Sequence, residues 1–307
     1  RSFIKAAGWR AIEDGHRGKE LRAERLRMVP GIELHTHNTN GQQFGFAAIG
    51  GHFRGHMDGA IKGILEAPNT WHVWEHKQVN EKKFNELKKA IIEYGEKNAL
   101  EKWDEIYYAQ AVMYMEMTGM KRHFLTCASP GGRDYISVRT EANPAKAKQL
   151  IEKADRIIFA KTPPERLSND PAWYQCKLCE YHEICHGTAA PLPNCRTCAH
   201  ATPSRGGGWN CERHGYVLQP DNQAAGCDSH RFIPAVLSNF AEPVDASEKD
   251  NWVKYHNKLN GQTFTNGAYP NGFTSAEIHD CADKNVLSDS DETLNEIRKT
   301  FSGKIEG

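Results

Sequence analysis

The sequence has no charge of one sign in excess: 39 Lys and Arg balance 39 Asp and Glu over 307 residues. That excludes association driven by a uniformly basic chain or tail. It has no apolar run near the ~18 residues that a bilayer span needs, so no membrane partner is expected. No charged segment followed by an apolar one opens the chain, so no secretory leader is read. The first residue is Arg1 rather than Met, and residues ahead of it are expected to be missing. Internal repeats and low-complexity tracts are absent as well. With 39% hydrophobic and 25% charged residues, the composition is that of a folded chain, and the length allows about two domains.

What is present is unevenly spread. Residues 1–187 hold 28 basic and 24 acidic side chains, and residues 188–307 hold 11 and 15, which leaves +4 and −4. A modest basic excess leaves room for a basic groove in the first part. Seven of the nine cysteines fall between Cys176 and Cys227, mostly as C-x2-C pairs. Disulfide frameworks belong to small secreted domains, so in a cytoplasmic chain this clustering reads as metal binding. Cys127 and Cys281 stand apart and read as plain thiols.

Helical spacing of apolar residues predicts a helix over residues 1–28, stopped by Pro30-Gly31. Short strands follow: residues 44–49 and 53–64 as a hairpin or meander, then residues 72–78. Residues 81–94 read as an amphipathic helix with Phe84, Leu87, Ile91 and Ile92 on one face, and a second helix runs from about 101 to 117, ending at Gly119. Strands at 123–128 and 135–139, joined by the turn at 130–133, precede a helix to about 160 that starts at Asn143-Pro144. After Pro171 long helical periodicity disappears. A hairpin, 252–255 against 262–265 around Asn260-Gly261, and a helix near 291–301 are read beyond residue 235.

Within this order lies a constellation with chemical meaning. Asp58, in GHMDG, falls on a predicted strand, and Glu75 and Lys77 fall on the next as E-x-K. Residues i and i+2 of a strand share a face, so Glu75 and Lys77 point the same way, and a carboxylate from the neighbouring strand can join them. Two acidic oxygen ligands beside one ammonium suit Mg²⁺ or Mn²⁺. A metal held by Asp58, Glu75 and the backbone carbonyl of His76 would lower the pKa of a bound water and neutralise charge on a phosphoryl oxygen. Lys77 would orient the water or stabilise the developing charge. Taken singly, an E-x-K is most often a solvated ion pair and a D-G a turn; the combination, in order and on strands, carries the reading.

Asp58 with Glu75-x-Lys77 resembles the PD-(D/E)XK nuclease motif, and Gln110-x3-Tyr114 on the following helix resembles the extra motif of that superfamily's RecB-like and Cas4-like branch. The likeness covers residues 10–140 and is nearest to phage or prophage exonucleases. It implies a restriction-endonuclease-like core, an α/β fold with a mixed central sheet flanked by helices. It implies that Gln110 and Tyr114 contact DNA or brace the site, and that His16 or Glu20 of the first helix completes the metal site. No Pro precedes Asp58, a departure that many members share.

Cys176, Cys179 and Cys185 (CKLCEYHEIC) are similar to the last three cysteines that hold a [4Fe–4S] cluster in Cas4-like and AddB-like nucleases. No cysteine before Cys127 supplies the fourth, so His182 or His186 could instead complete a three-cysteine zinc site. Cys195, Cys198, Cys211 and Cys227 read as a four-thiolate zinc ribbon or knuckle, with His200, His214 and His230 as alternative ligands.

Lys82, Lys83, Lys88, Lys89, Arg17, Lys19, Arg22, Arg25 and Arg27 could line a phosphate channel, although acidic neighbours favour a solvated face. Trp71, Trp74, Trp103, Tyr107 and Tyr108 could stack on bases but fit a core better. The expected organisation is a nuclease domain over 1–175, a cysteine-rich metal-binding region over 176–234 and a small β appendage over 235–307. The expected function is a Mg²⁺- or Mn²⁺-dependent DNA exonuclease in phage recombination or DNA processing, in a bacterial cytoplasm, with DNA and a phage or host recombination protein as partners. The alternatives are a non-catalytic zinc-containing DNA- or protein-binding module on the same scaffold, or an endonuclease.

Overall fold

The computed structural model describes residues 6–305. It divides into two compact units, Arg1–Arg156 and Ile157–Gly307. The cysteine-rich stretch and residues 235–307 both lie in the second unit.

In the first unit the order is α1 (Ala6–Arg27), β1 (Glu33–His35), β2 (Gly45–Ala48), β3 (Phe53–His56), β4 (Gly59–Lys62), β5 (His72–Gln78), α2 (Glu81–Tyr94), α3 (Glu96–Trp103), α4 (Glu105–Thr118), β6 (Arg122–Ala128), β7 (Tyr135–Glu141) and α5 (Pro144–Ile158). Five strands form a mixed sheet in the order β1-β4-β5-β6-β7, in which only β5 and β6 run parallel. That parallel pair needs a crossover, and α2, α3 and α4 provide it. Strands β2 and β3 make a separate hairpin.

Alternation along the central strands sorts the core. Trp74 and Phe124 pack with Ala23 and Leu26 of α1, while Leu125 and Val138 pack with Phe84, Leu87, Leu100 and Val112 of α2–α4. The sheet therefore lies between α1 and the three crossover helices. Helix α2 starts where Asn80 Oδ1 accepts the Lys83 N–H at 2.8 Å, and Phe84, Leu87 and Ala90 are its buried stripe. The helix expected over 101–117 is two helices. The Asp104 backbone is extended and its side chain caps the Tyr107 N–H, which ends α3 and starts α4; Gly119, at φ +72°, closes α4.

The second unit holds α6 (Tyr174–Lys177), α7 (His182–Cys185), β8 (Ala201–Pro203), β9 (Trp209–Cys211), β10 (Tyr216–Leu218), α8 (Pro220–Ala225), β11 (Ala241–Ser247), β12 (Trp252–Asn257), β13 (Thr263–Asn266), α9 (Ser275–Asp280) and α10 (Glu292–Phe301). The expected hairpin is β12–β13, with Tyr255 opposite Phe264. Strand β11 pairs with β12 as a third strand that the sequence reading missed. Pro243 argues against a regular strand there, yet it lies on an edge, beside a shift in register, where proline is tolerated. Phe232, Phe240, Tyr255, Phe264, Phe273 and Ile278 fill the core of this sheet, and Arg298 is buried against Glu277 beside it.

Candidate active site

Asp58 does not lie within a strand. It sits at the break between β3, which pairs with β2, and β4, which pairs with β1 and β5. The register that sets Gly59 against Trp74 places Asp58 beside Glu75. The two residues interlock. The Asp58 N–H donates to Glu75 Oε1 at 3.1 Å, and the His76 N–H donates to Asp58 Oδ2 at 3.0 Å. Lys77 Nζ donates to Glu75 Oε2 at 3.0 Å, so strand alternation does bring the E-x-K pair together on one face. The main chain of His76 meets the site through its N–H.

The remaining oxygen, Asp58 Oδ1, lies 3.2 Å from Lys19 Nζ. Gly18 of α1 packs against the Gln78 side chain, whose amide end a Cβ at that position would displace. His16 and Glu20, expected to complete the site, are exposed on α1. Among the described residues, no group of three or more His, Cys, Asp or Glu side chains is set to hold a metal ion. The first helix brings the Lys19 ammonium to Asp58. The sequence reading named Lys19 only as a groove cation. Gly18, a glycine inside a helical pattern, was the available sign of a close approach there.

Electrostatics single out Glu75. Its residue is 3% exposed. Burial first, and then the neighbouring Asp58 charge, push its carboxyl up from 4.5 to about 7, against the pull of Lys77. The Lys77 ammonium also lies 5.0 Å from the centre of the Tyr107 ring, so it is held between a carboxylate and an aromatic face. Gln110 Nε2 donates to the Tyr114 hydroxyl at 2.7 Å, one helical turn away, so the predicted Q-x3-Y pair is formed. Burial raises the Tyr114 phenol, and the Glu75 and Asp58 charges add to that rise. Tyr114 also meets Phe46 of the hairpin edge-on at 5.0 Å.

The opposite face of β5 is structural. His76 Nδ1 and Trp74 Nε1 both bond Thr126 Oγ1, at 3.0 and 3.1 Å, and burial lowers the His76 imidazole to about 4. Trp74 and Tyr108 are buried, and Trp103 and Tyr107 pack on the core, which favours the core reading of these aromatics. Several groove cations hold partners: Arg17 pairs with Glu13, Lys88 with Asp134, and Arg22 and Arg25 cover the Tyr135 ring.

In the second unit, Cys176, Cys179 and Cys185 lie near one another. Burial raises the Cys176 thiol, and Cys185 and Cys179 raise it further. His182 is a poor fourth ligand, since Nδ1 contacts Glu183 Oε1 at 3.0 Å and Nε2 contacts the Pro171 carbonyl at 3.3 Å. His186 Nε2 is buried and has no hydrogen-bond partner. Cys195, Cys198, Cys211 and Cys227 line a common cavity. Burial raises the Cys195 thiol, and Cys198, Cys227 and Cys211 add to it.

No protein-family model and no curated protein matches the chain. Among solved structures, the crystal structure of SSO0001 is similar over 56% of this chain and 69% of its own, at 14% identity and a TM-score of 0.33. A likeness of that size carries no argument about fold or function. The class that the coordinates define by themselves is a mixed α/β protein with a mixed central sheet between helices. No described helix is long and apolar enough to cross a membrane.

Proposed function

We propose that this protein is a Mg²⁺- or Mn²⁺-dependent DNA nuclease of the PD-(D/E)XK kind, acting on DNA ends. One observation carries the reading: Asp58 and Glu75 present adjoining carboxylates on one sheet face, with the Lys77 ammonium on Glu75. The donor set fits a hard divalent cation, because burial first, and then the neighbouring Asp58 charge, lift the Glu75 carboxyl to about 7, a cost of holding the charge there that such a cation would relieve. Asp58 and Glu75 would hold the ion. When bound, it would supply charge neutralisation at a phosphate and a more acidic water.

The chain's own groups divide the rest of the work. Lys77, fixed between Glu75 and Tyr107, holds a positive charge beside the carboxylates, where a scissile phosphate gathers negative charge. The Tyr114 oxygen already accepts from Gln110, so its own proton is free to donate to a phosphate oxygen. The resemblance adds a role in phage recombination or DNA processing.

The experiment is degradation of linear single- and double-stranded DNA, and of circular DNA, with Mn²⁺. Wild type is expected to degrade the linear forms and spare the circle. Asp58→Ala and Lys77→Ala are expected to lose at least about a hundredfold in rate. If both variants degrade DNA as fast as wild type, the assignment is wrong. A wild-type protein that binds DNA but cuts none with any divalent metal would point instead to the non-catalytic scaffold.

A further inference from the structure

We propose that Cys195, Cys198, Cys211 and Cys227 bind one structural zinc ion in a closed four-thiolate site. This inference does not depend on the nuclease reading. The four thiols arrive from three separate pieces of backbone. Cys195 and Cys198 flank a single turn that Asn194 caps. Cys211 ends β9, and its carbonyl accepts the Gly215 N–H in the turn that leads to β10. Cys227 follows Gly226, which leaves α8 at φ +68°.

All four line one cavity of about 40 Å³, room for an ion or a water rather than an organic ligand. The core of this module is mostly sulfur: Cys195, Cys198 and Cys211 are buried with Ala201 and Leu218, and Trp209 packs against them. Two aliphatic side chains cannot stabilise a sheet of three-residue strands, and all four cysteines are free of disulfides. The module is tied to the larger core of its unit through the Cys198–Phe232 bridge, and a metal would supply the local folding free energy that its own few apolar side chains lack. Among the described residues the four thiols line the cavity without converging as a metal-holding group, and they would close around the ion as it binds.

Three imidazoles, those of His200, His214 and His230, line the same cavity. His200 Nε2 is bonded to Asn251 Oδ1 at 2.6 Å. His230 Nε2 is bonded to Thr197 Oγ1 at 3.1 Å, while its Nδ1 is buried with no hydrogen-bond partner, so His230 stays a competing ligand. His214 stacks on Tyr216 and brings Nε2 to 3.8 Å from the Cys227 sulfur, so it competes with Cys227 for the fourth position. Four thiolates select zinc over the hard cations proposed for the carboxylate site.

The test is elemental analysis of the full chain purified without chelator. Cys211→Ser and Cys227→Ser should each lower zinc by one equivalent, while Cys281→Ser and His214→Ala leave it unchanged. A second readout needs no variant. Cys227 is exposed, so as a free thiol it would alkylate readily. Zinc ligation should slow its modification at least about tenfold until a chelator is added. The proposal is overturned if Cys227 reacts as an ordinary exposed thiol both with and without chelator. It is also overturned if neither serine variant loses zinc, or if His214→Ala loses it while Cys227→Ser keeps it.

Discussion

Replacing Glu75 by Gln gives the sharpest test of the site's electrostatics. The wild-type carboxyl titrates near 4.5 in the unfolded chain and at about 7 in the fold, where burial and Asp58 disfavour its charge. The folded state therefore holds more protons than the unfolded one between those two values. Stability from this group is fully present below pH 4.5 and is lost as the pH rises through 7. The displacement from 4.5 to about 7, at about 1.4 kcal/mol per pH unit, is worth about 3 kcal/mol. Urea denaturation without added divalent metal, at pH 5 and at pH 8, reads it. Wild type should lose up to about 3 kcal/mol more between the two pH values than Glu75→Gln does. The Gln variant keeps the side-chain shape and removes the titration. At pH 8 its Lys77 ammonium faces an amide instead of a carboxylate, whereas at pH 5 the wild-type carboxyl is itself neutral, so the comparison rests on the slope rather than on absolute stability. Parallel pH profiles for the two proteins would refute the burial argument.

Two further perturbations follow from the geometry. Lys19 occupies one oxygen of Asp58 at 3.2 Å with both side chains largely buried, so an incoming cation must displace it. An ion pair of this kind is worth about 0.5–1 kcal/mol, so Lys19→Gln should tighten Mn²⁺ binding about two- to fivefold. Isothermal titration reads this, and weaker binding in the variant would show that Lys19 helps the site rather than guarding it. Gly63, at φ +88°, would put a Cβ 1.8 Å from the Gly31 carbonyl oxygen, whereas Gly95, at φ +77°, faces open space. Gly63→Ala should cost at least about 2 kcal/mol, and Gly95→Ala only about 1 kcal/mol. Equal losses in urea denaturation would mean that the contact between the β1 and β4 ends yields freely.

Much of this was legible from short-range pattern. The stripe of Phe84 and Leu87 marked α2, Gly119 marked the end of α4, and alternation put Glu75 and Lys77 on one face. Side-chain spacing within a single element follows from backbone geometry alone, so these features needed no partner to be read. Asp104 shows the limit. Its neighbours continue a helical pattern, and only the capped, extended backbone reveals the break between α3 and α4. Strand β11 shows another, since the edge position that excuses Pro243 is a property of the sheet and not of the segment.

The sequence by itself determined the element types, the side chains available for chemistry and the gathering of thiols into one stretch. The tertiary structure alone decided that Asp58 meets Glu75, that Lys19 reaches Asp58, and that both ring nitrogens of His182 have partners while His186 Nε2 has none. The physical reason is the range of the interactions. Periodicity is written in neighbours three or four residues apart, whereas Asp58 and Glu75 are brought together by a strand register, and Lys19 by the packing of α1 on the sheet. Burial, which lifts the Glu75 carboxyl, exists only once those layers have closed.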